Sequence, residues 1–237
     1  PLHMQWRHVL FANWPVDPDV VAAHVPEALS VDTFEGNAWL SVVPFTNVDV
    51  RPALLPEGWG LPLPELNLRT YVHHDGDPGV YFHSLDAQGV VGVLGARLFH
   101  HLPYYYARID LTETADGVAF ESRRLHPGAR PVRFSAEYAP TGQEFRAEPD
   151  TLEAFLTERY RFYTEDQAGR LRYADIDHEQ WPLYEADVER SASSLGEPFV
   201  TAYLLEKRGV LNPDAADSEY RASVERRPTD ERRGEGF

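Results

Sequence analysis

The sequence predicts an α+β chain that is mostly β, with a few short helices. Leu66–Val72 alternates apolar and polar residues, which is the period-2 pattern of a half-buried strand. Val132–Tyr138 alternates in the same way. Helix start signals occur at Asp17 and near Asp150, and each precedes a short stretch that is predicted to be helical. These observations favour a domain built around a sheet.

Two hairpins are predicted in the middle of the chain. Leu66–Val72 and Val80–Asp86 flank the turn at residues 74–79, where glycine supplies positive φ and proline fixes a turn value of φ. A second hairpin is predicted from 107 to 124, with its turn at Asp116-Gly117. Adjacent strands of one antiparallel sheet are therefore expected.

The N-terminal part is predicted to hold three strands and a helix. Residues 6–13 are rich in apolar residues and indicate a strand. A helix follows, with Asp17 as N-cap and Pro18 in its first position, and it stops before Pro26. Strands at 29–32 and 38–45 are expected to form a hairpin around Gly36, before a long loop at 51–64.

The C-terminal part is predicted to hold the longest helix. Asp150 resembles an acidic cap with Glu153 three residues on, and apolar residues recur at helical spacing over 151–163. A strand at 171–176 and a bend at 181–184 follow. Residues 1–190 are expected to form the domain, and 191–237 a divergent, partly disordered tail.

Composition excludes several classes of protein. The chain has no cysteine, so neither a disulfide nor a Cys-containing zinc site can form. It has 38 acidic and 22 basic residues. A net charge of −16 disfavours nucleic acid and anionic membranes as partners. No signal peptide or membrane span is recognised, so a cytoplasmic protein is expected. The acidic excess favours a halophilic host, and the alternative is a GC-rich genome, which encodes Arg in place of Lys.

Several motifs together resemble the DUF2071 (YqjF-like) family of uncharacterised proteins. The resemblance covers most of the chain, from about residue 6 to residue 183. It is carried by LPELNLRTYV, GVYFHSLDA and ARLFHHLPYYYA, with WPVDP, HVPEALSVDTFEGNAWLSVVPF, LTERYRFYT and WPL. That family is remotely similar to acetoacetate decarboxylase. The resemblance implies a curved, mostly antiparallel β-barrel or cone with a few helices and an internal cavity.

The same resemblance argues against Schiff-base chemistry. The decarboxylase has a lysine pair after a proline in a stretch similar to residues 95–103, and its lysine acts as nucleophile. Here Tyr104 and Tyr105 follow Pro103, and Lys207 is the one lysine of the chain. A phenol cannot form an imine, so a lysine-independent activity is expected if the protein is an enzyme at all.

The candidate ligand-binding residues are polar groups set among apolar strands. Glu65, Asn67 and Arg69 alternate, so they share one face, which is either a polar wall of a cavity or a solvated surface. Arg97 either binds a carboxylate or pairs with Asp86 or Glu65 in a structural network. The three consecutive tyrosines at 104–106 either donate hydrogen bonds to a carbonyl or pack within the barrel. The full set is Arg97, Tyr104, Glu65, Arg69, Asn67, Asp86 and Tyr106.

No cofactor or metal is predicted. The histidine pairs at 73–74 and 100–101 point to opposite faces of a strand, so a site would need His83 and a carboxylate as well. Glycine-rich nucleotide motifs and a nucleophile elbow are absent from the sequence. The oligomeric state stays open.

Two functions follow from these observations. The first is a small-molecule-binding barrel with a polar pocket for a small carboxylate or carbonyl compound, either lyase-like in activity or non-catalytic. The second is a structural or interaction module whose barrel is packed solid.

Overall fold

The computed structural model describes residues 2–52, 54–89, 102–166, 168–176, 178–190 and 199–207. Strands dominate this part of the chain, which confirms the mostly-β prediction. No helix within it is long and apolar enough to cross a membrane. The strands are β1 (Leu2–Val16), β2 (Ser30–Val31), β3 (Ala38–Pro52), β4 (Leu61–His74), β5 (Asp77–Ala87), β6 (Tyr104–Glu113), β7 (Val118–Arg124), β8 (Arg133–Phe145), β9 (Arg161–Glu165), β10 (Leu171–Asp175), β11 (Leu183–Arg190) and β12 (Phe199–Lys207).

Strand pairing runs around nine strands and returns to its start. The order is β5-β6-β7-β8-β11-β12-β1-β3-β4, and β4 pairs again with β5. Neighbours in this ring are antiparallel except β5 and β6. Its thinnest link is β11–β12, where Tyr184 pairs with Tyr203. The result is the curved, mostly antiparallel barrel or cone that the family resemblance implies, extended by β9 and β10 beside β5 and by β2 beside β4.

The two faces of the ring have different coverings. One face, here called the inner face, carries an apolar cluster drawn from β1, β3, β4, β6, β7 and β8, including Leu10, Leu66 and Phe120. Strands that are not neighbours share this cluster, so it lies where the sheet curves on itself. The opposite face, here called the covered face, packs against a helix at Leu156 and a segment at Trp181.

Two short helices lie between the described strands, α1 (Pro18–Ala22) and α2 (Leu152–Thr157). α1 begins as predicted, since the Asp17 carboxylate accepts a hydrogen bond from the Asp19 N–H at 2.9 Å. Pro18 takes the first helical position, where its missing N–H costs nothing.

The helix predicted over 151–163 is wrong in length and in its cap. Thr151, not Asp150, is the N-cap, and its hydroxyl accepts a backbone N–H from Ala154 at 3.3 Å. The helix ends at Thr157, and β9 begins four residues later. Pairing of β9 with both β10 and β5 outweighs the helical spacing of the apolar residues.

The hairpin predicted around Gly36 is also wrong. β2 pairs with β4 and not with β3. Both edges of β3 are taken, by β1 on one side and β4 on the other, so β2 finds its partner further along β4. The turn itself forms, with Gly36 at a φ of 82° between the bridged residues Phe34 and Asn37.

The loop predicted at 51–64 is shorter than expected, because β3 continues to Pro52 and β4 begins at Leu61. The Asp49 carboxylate organises the connection by accepting the N–H groups of Gly58 at 3.1 Å and Gly60 at 2.7 Å.

The sheet also continues beyond the boundary expected at residue 190. β11 begins inside the predicted bend at 181–184, with its first residue Leu183 and the preceding Trp181 both buried. β12 then lies between β11 and β1. The rest of the expected tail, residues 191–198 and 208–237, lies outside the described residues.

Candidate functional site

A buried carboxylate, Glu65, lies at the centre of the candidate site. Glu65 is on the covered face of β4, between Phe45 of β3 and Ala87 of β5. Glu65 is only 5% exposed. Asn47 donates its Nδ2–H to Oε1 at 2.7 Å, and the Tyr104 hydroxyl donates to Oε2 at 3.1 Å. Both carboxylate oxygens therefore have a donor, and neither donor is a cation.

Burial raises the pKa of Glu65 to about 7, well above the ordinary value of 4.5. Loss of water around the charged form is the largest cause, and the hydrogen bonds from Asn47 and Tyr104 act in the opposite direction. Glu65 is consequently close to half-protonated at neutral pH, and it can both give and take a proton there.

A polar row continues along β4 from Glu65. Asn67 and Arg69 follow at alternate positions on the same face, as the sequence predicts. Asn67 is 5% exposed, and its Oδ1 has no hydrogen-bond partner among the described residues. Arg69 is half-buried and donates through Nη2 to the Leu156 carbonyl at 2.8 Å. Its guanidinium carbon lies 5.1 Å from the centroid of the Phe11 ring.

A hydroxyl network supports this row, and sequence reasoning did not find it. Ser41 donates its Oγ–H to Asn13 Oδ1 at 2.5 Å and lies 2.6 Å from the Tyr71 hydroxyl. Tyr71 in turn donates to the Leu156 carbonyl at 2.9 Å. The network ties β1, β3 and β4 to α2, so the same carbonyl anchors both Tyr71 and Arg69.

Asn47 was also missed. Its sequence signal is weak: it is a polar residue at an alternate position of β3, in step with Val43 and Phe45. In the structure, Asn47 makes a shorter hydrogen bond to Glu65 than Tyr104 does.

Asp86 belongs to a separate arrangement on the inner face. It pairs with Leu66 of β4 and therefore points away from Glu65. Arg124 donates its Nε–H to Asp86 at 2.7 Å, and its guanidinium carbon lies 4.2 Å from the centroid of the Tyr105 ring. Burial raises the pKa of Asp86, and the Arg124 bond opposes this. The structure thus brings Asp86 together with Arg124 and not with Glu65.

The remaining candidates are placed as follows. Tyr106 shares the face of Tyr104, and its backbone N–H donates to His126 Nδ1 at 3.1 Å. Arg97 and the pair His100-His101 lie outside the described residues.

No group of three or more metal-ligating side chains that could hold a metal ion occurs in the part of the chain that the structure describes. His83 is described, and desolvation by burial, aided by the nearby charge of His24, lowers its pKa to about 4. A neutral imidazole at pH 7 results.

Glu65 and its two partners, Asn47 and Tyr104, are suited to proton transfer and hydrogen bonding. A carboxyl group that titrates near neutral pH is suited to general acid–base work beside a carbonyl. Tyr104 adds a hydroxyl on the same carboxylate, and Asn47 fixes the orientation of that carboxylate.

Comparison with known proteins places the chain in a family. The model of the DUF2071 family, described as an uncharacterized conserved protein, matches residues 3–208. The uncharacterized protein YqjF of Bacillus subtilis (strain 168) is 44% identical over 195 residues, which is 82% of this chain and 79% of that protein. The match includes β12, beyond the position near residue 190 where the sequence was expected to leave the family pattern.

Solved structures share the fold at low sequence identity. The enduracididine biosynthesis enzyme MppR complexed with pyruvate superposes with a TM-score of 0.57 at 15% identity, over 90% of each chain. Acetoacetate decarboxylase from Legionella pneumophila superposes with a TM-score of 0.55 at 11% identity, over 87% of this chain and 83% of that one. These similarities show an acetoacetate decarboxylase-like fold.

Proposed function

Because this chain belongs to the DUF2071 family and has an acetoacetate decarboxylase-like fold, we propose that it binds a small carbonyl or carboxylate compound beside Glu65. The observation that carries the proposal is the burial of an ionisable carboxyl group whose two oxygens are held by Asn47 and Tyr104. A structural role alone would be served at lower cost by an amide or an apolar side chain, since burying a charge is expensive.

The chemistry proposed for the site does not use an imine. Tyr104 and Tyr105 follow Pro103, and Lys207 is the single lysine in the sequence. Protonated Glu65 or the Tyr104 hydroxyl would donate a hydrogen bond to the carbonyl oxygen of the ligand. Any catalysis would then be a lysine-independent, lyase-like proton transfer beside that carbonyl, with Glu65 as acid or base.

The similar structures support this class of ligand. One was solved as MppR complexed with pyruvate, and another holds the condensation product of pyruvate and imidazole 4-carboxaldehyde. Arg97 is the guanidinium that the sequence offers for the carboxylate of such a compound, because a guanidinium binds a carboxylate through two parallel hydrogen bonds. Arg69, a member of the polar row on the covered face of β4, offers a guanidinium for the same purpose.

A thermal-shift screen of small keto acids tests the proposal. A ligand at about 100 times its Kd stabilises the native state by about 2.7 kcal/mol. We expect pyruvate or a related keto acid to raise the Tm of the parent protein, and we expect Tyr104→Phe and Arg97→Met to reduce the shift. Tyr184→Phe is the matched control, because the Tyr184 hydroxyl donates to Glu144 at 3.0 Å on the exposed surface.

A second function, a packed structural module, is favoured by one observation. Apolar clusters occupy both faces of the sheet, at Phe120 on the inner face and at Phe45 and Trp181 on the covered face. If no keto acid shifts the Tm of the well-folded parent, the ligand proposal fails and the module becomes the better account.

A further inference from the structure

The Arg124 side chain lies across a neighbouring strand on the inner face of the sheet. Arg124 ends β7 and is paired with Ala107 of β6. β6 separates β7 from β5, yet the Arg124 Nε–H donates to Asp86 of β5 at 2.7 Å. Adjacent strands are about 4.8 Å apart, so the side chain crosses β6 to make this bond. The small side chain of Ala107 leaves room for that crossing.

Two contacts fix the orientation of the Arg124 guanidinium. Asp86 holds it at Nε, and its central carbon lies 4.2 Å from the centroid of the Tyr105 ring. His126 packs edge to face against Tyr105, with ring centroids 5.5 Å apart. The His126 Nδ1 accepts the Tyr106 N–H at 3.1 Å, so the ring that supports the guanidinium has its own support. A cation that is oriented before a ligand arrives loses little freedom on binding, which favours affinity.

The far end of this guanidinium has unused donors. Arginine carries five N–H donors, and Arg124 uses the one on Nε for Asp86. The other four are on Nη1 and Nη2, which bond to no acceptor among the described residues. The side chain is only 11% exposed, but neither Nη nitrogen is sealed from solvent. A ligand that carries acceptors can therefore reach both of them.

Ion pairs elsewhere in the chain use the arginine donors differently. Arg161 bonds Asp175 through Nε and Nη2 together, and its Nη1 donates to Asp77. Arg172 also bonds a single carboxylate through both Nε and Nη2. Arg124 makes one bond and leaves the fork of Nη1 and Nη2 open. Neutralising a buried carboxylate does not by itself explain this arrangement.

We propose that Nη1 and Nη2 of Arg124 bind the carboxylate of a small anionic ligand on the inner face. The planar guanidinium fork matches a carboxylate, because it donates two parallel N–H bonds to the two oxygens. This site is separate from the one proposed at Glu65, since Asp86 and Glu65 point to opposite faces of the sheet. Asp86 balances the charge of the guanidinium when no ligand is bound, so the fold does not depend on the ligand.

Nuclear magnetic resonance of the Arg124 Nε–H tests this inference on the full chain. Sodium propanoate replaces sodium chloride at constant ionic strength and neutral pH, and propanamide, its uncharged analogue, is titrated separately. We expect the Nε–H resonance to shift with propanoate until it saturates, and to stay in place with propanamide. The resonance is assigned by its loss in Arg124→Lys.

Variants locate the binding. Arg124→Lys keeps the positive charge but loses the planar fork, so propanoate, followed at the Tyr105 backbone amide, should bind about tenfold more weakly. The double variant Asp86→Leu with Arg124→Met removes both charges of the pair and should abolish binding. Arg123→Met is the control, because Arg123 is exposed on the other face of β7 and its loss changes the net charge equally. Its propanoate affinity should equal that of the parent.

The inference is overturned if the Arg124 resonance of the parent shows no saturable shift with propanoate, or shifts equally with propanamide. An unchanged propanoate affinity in Arg124→Lys or in the double variant overturns it as well. Saturable shifts at the side-chain amides of Asn47 and Asn67, without one at Arg124, would place the carboxylate beside Glu65. That result would remove the Arg124 site and support the proposed function. The parent titration decides the question even if a variant does not fold.

Discussion

Glu65→Gln should change how the stability of the protein depends on pH. In the parent, the folded state holds the Glu65 proton up to a pKa of about 7, whereas the unfolded state loses it near 4.5. Between these values the folded state binds more protons than the unfolded state. Raising the pH therefore lowers the free energy of unfolding across this window.

The magnitude follows from the width of the window. Each pH unit is worth about 1.4 kcal/mol, so the shift of Glu65 amounts to a loss of about 3 kcal/mol between pH 4.5 and pH 7. Above pH 7 this contribution is constant. Glutamine has the shape of the protonated acid and does not titrate, so the variant should lack this loss. The unpaired Asn47 Oδ1 can accept the new amide N–H after the Asn47 side chain turns over.

The assay is urea unfolding followed by tryptophan fluorescence at several pH values from 4.5 to 8. The quantity of interest is the free energy of unfolding of Glu65→Gln minus that of the parent, because the other titrating groups cancel in the difference. We expect this difference to grow by about 3 kcal/mol across the window. Glu144→Gln removes a carboxylate that Tyr184 hydrogen-bonds on the surface and is the control.

A difference that stays flat from pH 4.5 to pH 8 would refute the reasoning, since Glu65 would then titrate equally in the folded and unfolded states. A difference that shrinks with pH would show that the folded protein favours the ionised form. A comparable rise for Glu144→Gln would trace the effect to net charge and not to burial.

Three further predictions concern stability. Arg124→Met leaves the carboxylate of Asp86 buried without its partner, so urea unfolding should show a loss of about 3–5 kcal/mol; adding Asp86→Leu should restore most of it, and no restoration would argue against the ion pair. Asn67→Leu replaces an amide whose Oδ1 is unpaired, so the free energy of unfolding should rise by about 1–2 kcal/mol; a fall would mean that the amide is satisfied. Gly117→Ala would put a Cβ 2.2 Å from the Tyr138 carbonyl oxygen, so a thermal melt should show a loss of about 1–3 kcal/mol, and an unchanged Tm would show that the hairpin adjusts.

Local chemistry predicts the elements whose determinants are near in sequence. The β4–β5 hairpin turns at Asp75 and Gly76, both at positive φ, as a two-residue hairpin turn of type I′ requires and as glycine readily allows. α1 needs only the Asp17 cap and Pro18 to be recognised. In each case the deciding contacts span a few residues.

Elements decided by distant partners were predicted less well. The apolar residues just before 161 recur at helical spacing, which led to a helix being predicted as far as residue 163. Residues 161–165 instead form a strand that pairs with β10 and with β5, which is about eighty residues earlier in the chain. β2 likewise pairs with β4 although β3 lies nearer in sequence. Sequence patterns report which residues are apolar, but they do not report which edge of a sheet is free.

The candidate site shows the same division. Alternation predicts that Glu65, Asn67 and Arg69 share a face, and the structure agrees. That this face is buried depends on a helix about ninety residues away, whose Leu156 carbonyl accepts from Arg69. The covering of the face, and with it the pKa of Glu65, could not be predicted from the strand alone.

The pairing of β1 with β12 has a consequence for how the protein is made. Trp6 lies opposite Lys207, so β1 leaves the ribosome long before β12, and this edge of β1 stays without its partner strand until β12 has been made. Synthesis proceeds at about 5–20 residues per second, and during that interval a long apolar strand presents an open edge. Such edges attract other chains. The nascent chain therefore presents this edge to other chains until residue 207 has emerged.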